Sequence, residues 1–236
     1  MTVVITLASR NEGKRRELCR LVETLELPFP IEIALNPSAD DVEETGANFI
    51  ENAMLKAKAT PPVVPNGWVL GEDSGLIVDT LDGCYGISPF PGIYSNRWLT
   101  PERRDELLGR SFPNRMPLDR VTDTGITNSD LCMGILKLME GKTNRNARYA
   151  CGMALWNPAL QTSFETLAFT ELEVLNGEPR GENGFGYDPI MLPQGQNKTM
   201  AELDADEKNR ISHRGIAFAD VLRFLAEHYA ANAAHT

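Results

Sequence analysis

The chain has 236 residues, 42% of them apolar and 24% charged, with a formal net charge of −10. That length buries a core without staples, and that composition is ordinary for a globular protein. The acidic balance argues against the basic stripe of a duplex-binding protein, and no run of about 18 apolar residues offers a membrane span. Four scattered cysteines, Cys19, Cys84, Cys132 and Cys151, show no CxxC spacing, which predicts free thiols rather than a zinc knuckle or a disulfide scaffold. Met1 to Thr6 lacks the charge and apolar length of a secretory leader, so the expected location is the cytoplasm.

In chain order, the β-branched run Val3 to Ala8 predicts a buried strand. Ser9-Arg10-Asn11-Glu12-Gly13 is turn chemistry, and Leu18, Leu21, Val22 and Leu25 then recur at helical spacing. Pro28 and Pro30 end that helix and lead into a second strand, Ile31 to Ile33. Asn36 to Gly46 is polar and acidic, hence a loop. Phe49, Ile50, Ala53, Met54 and Ala57 mark one face of a second helix. After Pro61, Pro62 and Pro65, the runs Trp68 to Leu70 and Leu76 to Val78 predict two strands flanking Gly71-Glu72-Asp73-Ser74-Gly75. A short helix is expected at Pro101 to Leu108 and a longer one at Ser129 to Met139. Ala147 to Trp156 and Phe164 to Val174 predict long strands joined by a turn at Asn157-Pro158, and Tyr187 to Leu192 a further strand. Asp206 to Ile211 and Gly215 to Tyr229 close the chain as helices. A β-loop-α opening followed by consecutive strands implies an α/β fold with a mixed sheet.

Five polar constellations stand out. Ser9 to Lys14 joins a strand to a helix start, where free N–H groups and the dipole suit phosphate, though Ala8 and Arg15 exclude a Walker A loop. Glu43-Glu44 precedes a helix on which Asn52 and Lys56, four apart, share a face; carboxylates there suit a hard cation such as magnesium. Glu72 and Asp73 are adjacent acids in a strand-like stretch, so they point to opposite faces. One can serve a metal or an attacking water while the other braces the loop. Gly184-Phe185-Gly186-Tyr187-Asp188 combines close backbone approach with an aromatic face for a base. Lys208 and Ser212-His213-Arg214 form a polar cluster between two helices, with an Arg fork able to read a purine carbonyl. Taken singly, each is also how an ordinary cap, turn or solvated face is built.

Their order and wording together carry more. LASRNEGK (Leu7 to Lys14), VEETGANFIENAMLK (Val42 to Lys56), GEDSGLIVD (Gly71 to Asp79), PGIYSNRW (Pro91 to Trp98), GFGYDPI (Gly184 to Ile190) and TMAELDADEKNRISHRGIA (Thr199 to Ala217) resemble the inosine triphosphate pyrophosphatase (dITP/XTP pyrophosphatase) family. The resemblance implies an elongated mixed β-sheet flanked by helices, in one domain over residues 1–236 with two lobes and a central cleft, usually as a homodimer. It implies Mg2+-dependent hydrolysis of ITP, dITP and XTP to the monophosphate and pyrophosphate. By matching position, Ser9, Asn11, Lys14 and Lys56 hold phosphates, with Arg10 beside them in the same loop. Glu44 and Asp73 bind magnesium, and Asp73 accepts a proton from water with Lys14 and Lys56 assisting. Ser74 touches substrate, Phe185, Gly186, Tyr187 and Asp188 hold base and sugar, and Lys208, His213 and Arg214 complete the base pocket.

The chain departs from the family pattern in four places. Arg10 stands where glycine is usual, and Glu72 replaces the first Asp of the acidic pair. Residues 84–90 read as an insertion of about six residues, which a surface loop tolerates cheaply. Residues 99–127 are long and carry Arg103, Arg104, Arg110, Arg115 and Arg120: a lid, a dimer element, a substrate gate or a plain surface loop. Two rival functions remain, a Maf-type nucleotide pyrophosphatase with another base preference and a nucleotide-binding sensor without chemistry.

Overall fold

The computed structural model describes residues 2–23, 27–36, 42–109, 121–122 and 125–233. Leu25, Arg110, Arg115, Arg120 and part of the acidic loop before Glu43 lie outside the described residues.

Among the described residues six strands form one sheet in the order β2-β1-β3-β4-β5-β6. They are β1 (Val3–Leu7), β2 (Ile31–Leu35), β3 (Trp68–Val78), β4 (Asn146–Asn157), β5 (Thr162–Val174) and β6 (Met191–Pro193). Among the described residues six helices accompany them: α1 (Glu12–Glu23), α2 (Phe49–Ala59), α3 (Pro101–Leu108), α4 (Asn128–Leu138), α5 (Ala205–Ile211) and α6 (His213–Ala233). β1 pairs in parallel with β2 (Val3 opposite Ile31) and with β3 (Ile5 opposite Trp68), whereas β6 runs antiparallel to β5. The sheet is therefore mixed, as the sequence pattern predicts.

The chain divides into two compact units. The first comprises residues 1–74, 150–169 and 209–236, and the second residues 75–149 and 170–208. In the first unit the period-2 alternation of the strands sorts side chains onto two helical layers. Val3, Ile5 and Leu7 of β1 and Trp68 and Leu70 of β3 join Leu18 of α1 and Phe218, Val221, Leu222 and Leu225 of α6 in one core. Val69 of β3 and Ala154 of β4 pack instead on Ala53 and Ala57 of α2. α2 starts where Asn48 Oδ1 accepts from the Glu51 N–H at 2.9 Å, while Glu51 Oε2 accepts from the Ala47 N–H at 2.8 Å. Such reciprocal capping stabilises a helix start by about 1 kcal/mol.

In the second unit, Ser95 fixes a loop by accepting from Leu76 N (2.8 Å) and donating to Gly92 O (2.6 Å). Trp98 is buried edge-on to Phe90, with centroids 5.1 Å apart. Gly134 of α4 lets that indole approach, since a Cβ there would lie 2.8 Å from its Cη2. Arg104 of α3 is joined to Asp130 of α4 (Nε to Oδ1, 3.0 Å), and Thr127 and Asp130 form a capping box.

Two expectations change. The glycine-flanked acids are not a turn between two strands: β3 runs unbroken from Trp68 to Val78. Cations on both faces neutralise the acids, so a strand can carry them. The strand expected over Tyr187 to Leu192 is a 3-10 turn (Asp188–Ile190) followed by the short β6. Pro189 explains this, because it has no N–H for a ladder and suits the start of a helical turn.

Candidate active site

Strand parity decides the layout of the first unit's polar groups. Trp68 and Leu70 face α1 and α6, so Glu72 must as well; Val69 faces α2, so Asp73 must as well. The contacts agree. Asp73 Oδ1 lies 3.0 Å from Lys56 Nζ, and Asp73 Oδ2 accepts from Asn52 Nδ2 at 3.0 Å. Lys56 and Asn52 are one turn apart on α2. Asn52 Oδ1 also takes the Gly46 N–H at 2.8 Å, tying the acidic loop to the helix. From that loop Glu44 Oε1 reaches Lys56 Nζ at 2.6 Å, and Lys56 further donates to the Glu72 carbonyl at 3.1 Å. Gly71 makes this closeness possible: a Cβ there would lie 1.9 Å from the Ala53 carbonyl oxygen.

Burial shapes the protonation of the pair. It pushes the Asp73 carboxyl up; Lys56 pulls it back, Glu44 adds to the rise, and the net direction is upward. Lys56 is held above the ordinary lysine value, because Asp73 and Glu44 together outweigh its desolvation.

On the opposite face, Glu72 Oε1 accepts from Arg214 Nε (2.9 Å), Arg214 Nη2 (2.8 Å) and Ser74 Oγ (3.1 Å). Its Oε2 lies 3.4 Å from Lys14 Nζ. Burial works to raise the Glu72 carboxyl, yet Arg214 and Lys14 prevail and hold it well below the usual carboxylate range. Arg214 Nη1 donates to Glu17 Oε2 at 2.8 Å, so one guanidinium, 2% exposed, serves two carboxylates. His213 is buried beside it in sequence, at the start of α6.

The loop after β1 is organised by its own side chains. Asn11 Oδ1 caps α1 by accepting from the N–H groups of Gly13 (2.9 Å) and Lys14 (3.3 Å), and Ser9 Oγ accepts from Asn11 N at 3.1 Å. Ser9 and Asn11 thus shape the helix start from which Lys14 projects. Arg10 is exposed.

The second unit holds a separate aromatic and acidic group. Asp188 is 3% exposed and fully engaged. Its Oδ2 accepts from Lys208 Nζ (2.7 Å) and Phe185 N (2.8 Å), its Oδ1 from Tyr149 Oη (3.1 Å). Gly184, at φ +82°, has no room for a side chain, since a Cβ would lie 2.1 Å from Asp188 Oδ2. Phe185 is 55% exposed, with Lys208 Nζ 5.0 Å from its ring centroid. Tyr187 is buried, its hydroxyl donating to Ser95 O and accepting from Trp98 Nε1 (2.8 Å). Asp188 and Tyr187 therefore brace the loop from beneath, Gly186 lends its carbonyl to Cys132 Sγ at 3.3 Å, and Phe185 is the ring the loop presents outward.

The structure brings Lys14, Glu44, Lys56, Glu72, Asp73, Ser74 and Arg214 into one connected network within the first unit. Phe185 to Asp188 and Lys208 form a second cluster in the other unit. Sequence reading passed over Glu17 and Tyr149. Glu17 had a signal, being three residues after Lys14 on the same helical face; Tyr149, in a long strand, had none. Among the described residues no group of three or more His, Cys, Asp or Glu is placed to hold a metal by itself.

These features define a class: an α/β protein with a mixed sheet whose third strand presents paired acids to lysines on both faces. The chain belongs to the Ham1 family, whose profile matches residues 5–224. It is 36% identical over 226 residues to a dITP/XTP pyrophosphatase of Exiguobacterium sp., covering 94% of this chain and 98% of that one. It is 39% identical over 224 residues to a dITP/XTP pyrophosphatase of Frankia alni, at 94% and 97% coverage. Among solved structures it is similar to a HAM1 protein from Coxiella burnetii (32% identity, TM-score 0.70, 95% of this chain and 99% of that one). It is likewise similar to the Staphylococcus aureus Ham1 protein (28% identity, TM-score 0.70, the same coverage).

Proposed function

We propose that this chain is a nucleoside triphosphate pyrophosphatase that hydrolyses ITP, dITP and XTP to the monophosphate and pyrophosphate. The names of its relatives support the substrate class. The observation that carries the chemistry is Asp73: a buried carboxylate with a raised proton affinity, held by Lys56 and Asn52 beside a second carboxylate, Glu44.

Glu44 and Asp73 converge on a single ammonium group, and Glu44's charge still raises the Asp73 carboxyl. That is a donor set with room for more positive charge, and hard carboxylate oxygens completed by phosphate and water suit magnesium. Glu44 and Asp73 would hold such an ion, which would supply positive charge to offset that of the triphosphate. The residues do the rest. Lys14, at the helix start ordered by Ser9 and Asn11 and beside Arg10, and Lys56 on α2 bind the phosphates, with Ser74 nearby. Asp73 orients a water and takes its proton as the oxygen attacks phosphorus, the part a positioned carboxylate plays as general base. Pyrophosphate leaves with its charge offset by the lysines. Phe185 stacks on the base, with Gly186, Tyr187 and Asp188 shaping the loop and Lys208 beside the ring. His213 and Arg214 distinguish a 6-oxo purine from adenine, because a site built on such hydrogen bonds leaves the wrong exchangeable group unpaired. The reading includes a cytoplasmic location and a homodimer, with residues 1–236 acting as one catalytic domain of two lobes.

A panel of ITP, dITP, XTP, ATP, GTP and pyrimidine triphosphates, with and without Mg2+, tests this by pyrophosphate release. Magnesium-dependent turnover greatest on the first three is expected. Preference for another nucleotide indicates a Maf-type activity, and binding without turnover leaves a sensor.

A further inference from the structure

Tyr149 has no part in the reaction above, yet it is buried on β4 and its hydroxyl donates to Asp188. The division of labour between the two Asp188 oxygens gives that contact its meaning. Lys208 Nζ on α5 (2.7 Å) and the Phe185 N–H (2.8 Å) both meet Oδ2. Two donors on a single oxygen leave the carboxylate free to turn about its terminal torsion, which is broad and soft in Asp. Tyr149 Oη holds the other oxygen, Oδ1, at 3.1 Å, and so fixes the plane. Burial and the neighbouring Asp188 charge keep that phenol protonated, and hence a donor. The anchor itself is firm, because Tyr149 belongs to a long strand, Asn146–Asn157. A carboxylate that turned would release the Phe185 N–H and shift Lys208, whose Nζ lies 5.0 Å from the Phe185 ring centroid.

We infer that Tyr149 is a positioning residue: its hydroxyl locks the plane of Asp188 and, through the Phe185 N–H and Lys208, holds the Phe185 ring where a purine base stacks. This rests on the reading of Phe185 as the stacking ring. Tyr149→Phe keeps the ring and nearly all its volume and removes only the donor.

The test measures KM and kcat for ITP, and the dissociation constants of IMP and of pyrophosphate by calorimetry, in the wild type, Tyr149→Phe, Phe185→Ala and the double variant. Tyr149→Phe is expected to raise KM for ITP and weaken IMP binding about three- to tenfold, within the scale of one hydrogen bond to a charged group. It should leave kcat and pyrophosphate binding within about twofold, because the Tyr149 cluster contains none of the groups assigned to the chemical step or the phosphates. In the Phe185→Ala background the same change should move KM and IMP binding less than about twofold, because the ring it places is gone. A merely structural hydroxyl weakens IMP and pyrophosphate alike, or lowers the melting temperature without moving KM, and either result overturns the inference. So does a Tyr149→Phe variant that no longer folds in circular dichroism melts, or a loss that multiplies with that of Phe185→Ala. If Phe185→Ala itself keeps wild-type KM and IMP binding, the stacking role of Phe185 fails and the inference with it. A wild type that binds IMP but does not turn over ITP defeats the proposed activity alone, since the IMP measurements still decide the role of Tyr149; one that binds neither defeats both.

Discussion

Asp73 illustrates how one residue's environment sets its chemistry. Its neighbour Glu72, one position away, is driven strongly acidic by Arg214 and Lys14, while Asp73 is pushed the other way by burial and Glu44. Two carboxylates with opposite shifts are suited to different tasks: on the proposed reading Glu72 stays a permanent anion while Asp73 accepts the proton. Asp73→Asn should lower kcat by roughly 10²–10⁴-fold and leave the fold intact, since Lys56 keeps Glu44 as its partner. Single-turnover assays with a melting curve check both halves, and wild-type turnover would remove Asp73 as the base. A general base must be ionised to work, so activity rises with pH through its pKa. Because that pKa is raised, in the metal-free protein the Asp73 carboxyl should titrate above the ordinary Asp value of 3.8, which an NMR titration with a chelator present measures; a midpoint at or below that value contradicts the reading.

At the scale of elements, β3 and α2 meet across Gly71, where helix backbone occupies the space of a side chain. Gly71→Ala must push α2 away, an overpacking cost of about 1–3 kcal/mol. For a chain this size that is a drop in Tm of roughly 2–12 °C. Turnover should fall as well, since Lys56 and Asn52 ride on α2; an unchanged Tm would mean that the contact is loose. The sequence made much of this legible. Ala53 and Ala57 showed which face of α2 is buried, and the Asn52–Lys56 spacing placed both side chains together. The alternation of Glu72 and Asp73 predicted their opposite faces. What it hid was non-local. Nothing near Gly71-Glu72-Asp73-Ser74-Gly75 announces an unbroken strand, because the neutralising cations come from α1, α2 and α6. Likewise, Asp188 looked like a base reader until Tyr149, Lys208 and Phe185 N were seen to take both its oxygens.

At the scale of the whole molecule, the cluster of Lys14, Glu17, Glu72 and Arg214 ties α1, β3 and α6 together inside the first unit. Glu72's folded pKa is depressed below its ordinary value of 4.5, so its ionisation stabilises the fold above that pH and the benefit is lost as pH falls toward the folded value. Glu72→Gln, which leaves a buried guanidinium short of charge, should cost about 3–5 kcal/mol at neutral pH. The deficit relative to wild type should shrink below about pH 4.5. Melts across pH with a chelator present measure this, and a gap that is constant or widens in acid would refute it. The unbroken course of β3 also constrains how this chain can diverge. Its two acids serve opposite sides solely because they occupy consecutive positions of a pleat, so inserting or deleting one residue between Trp68 and Glu72 would turn Asp73 toward Arg214 and Glu72 toward Lys56. Relatives should therefore vary in length around the strand but not within it, and lineages that change the reaction should do so by exchanging side chains on a fixed ruler.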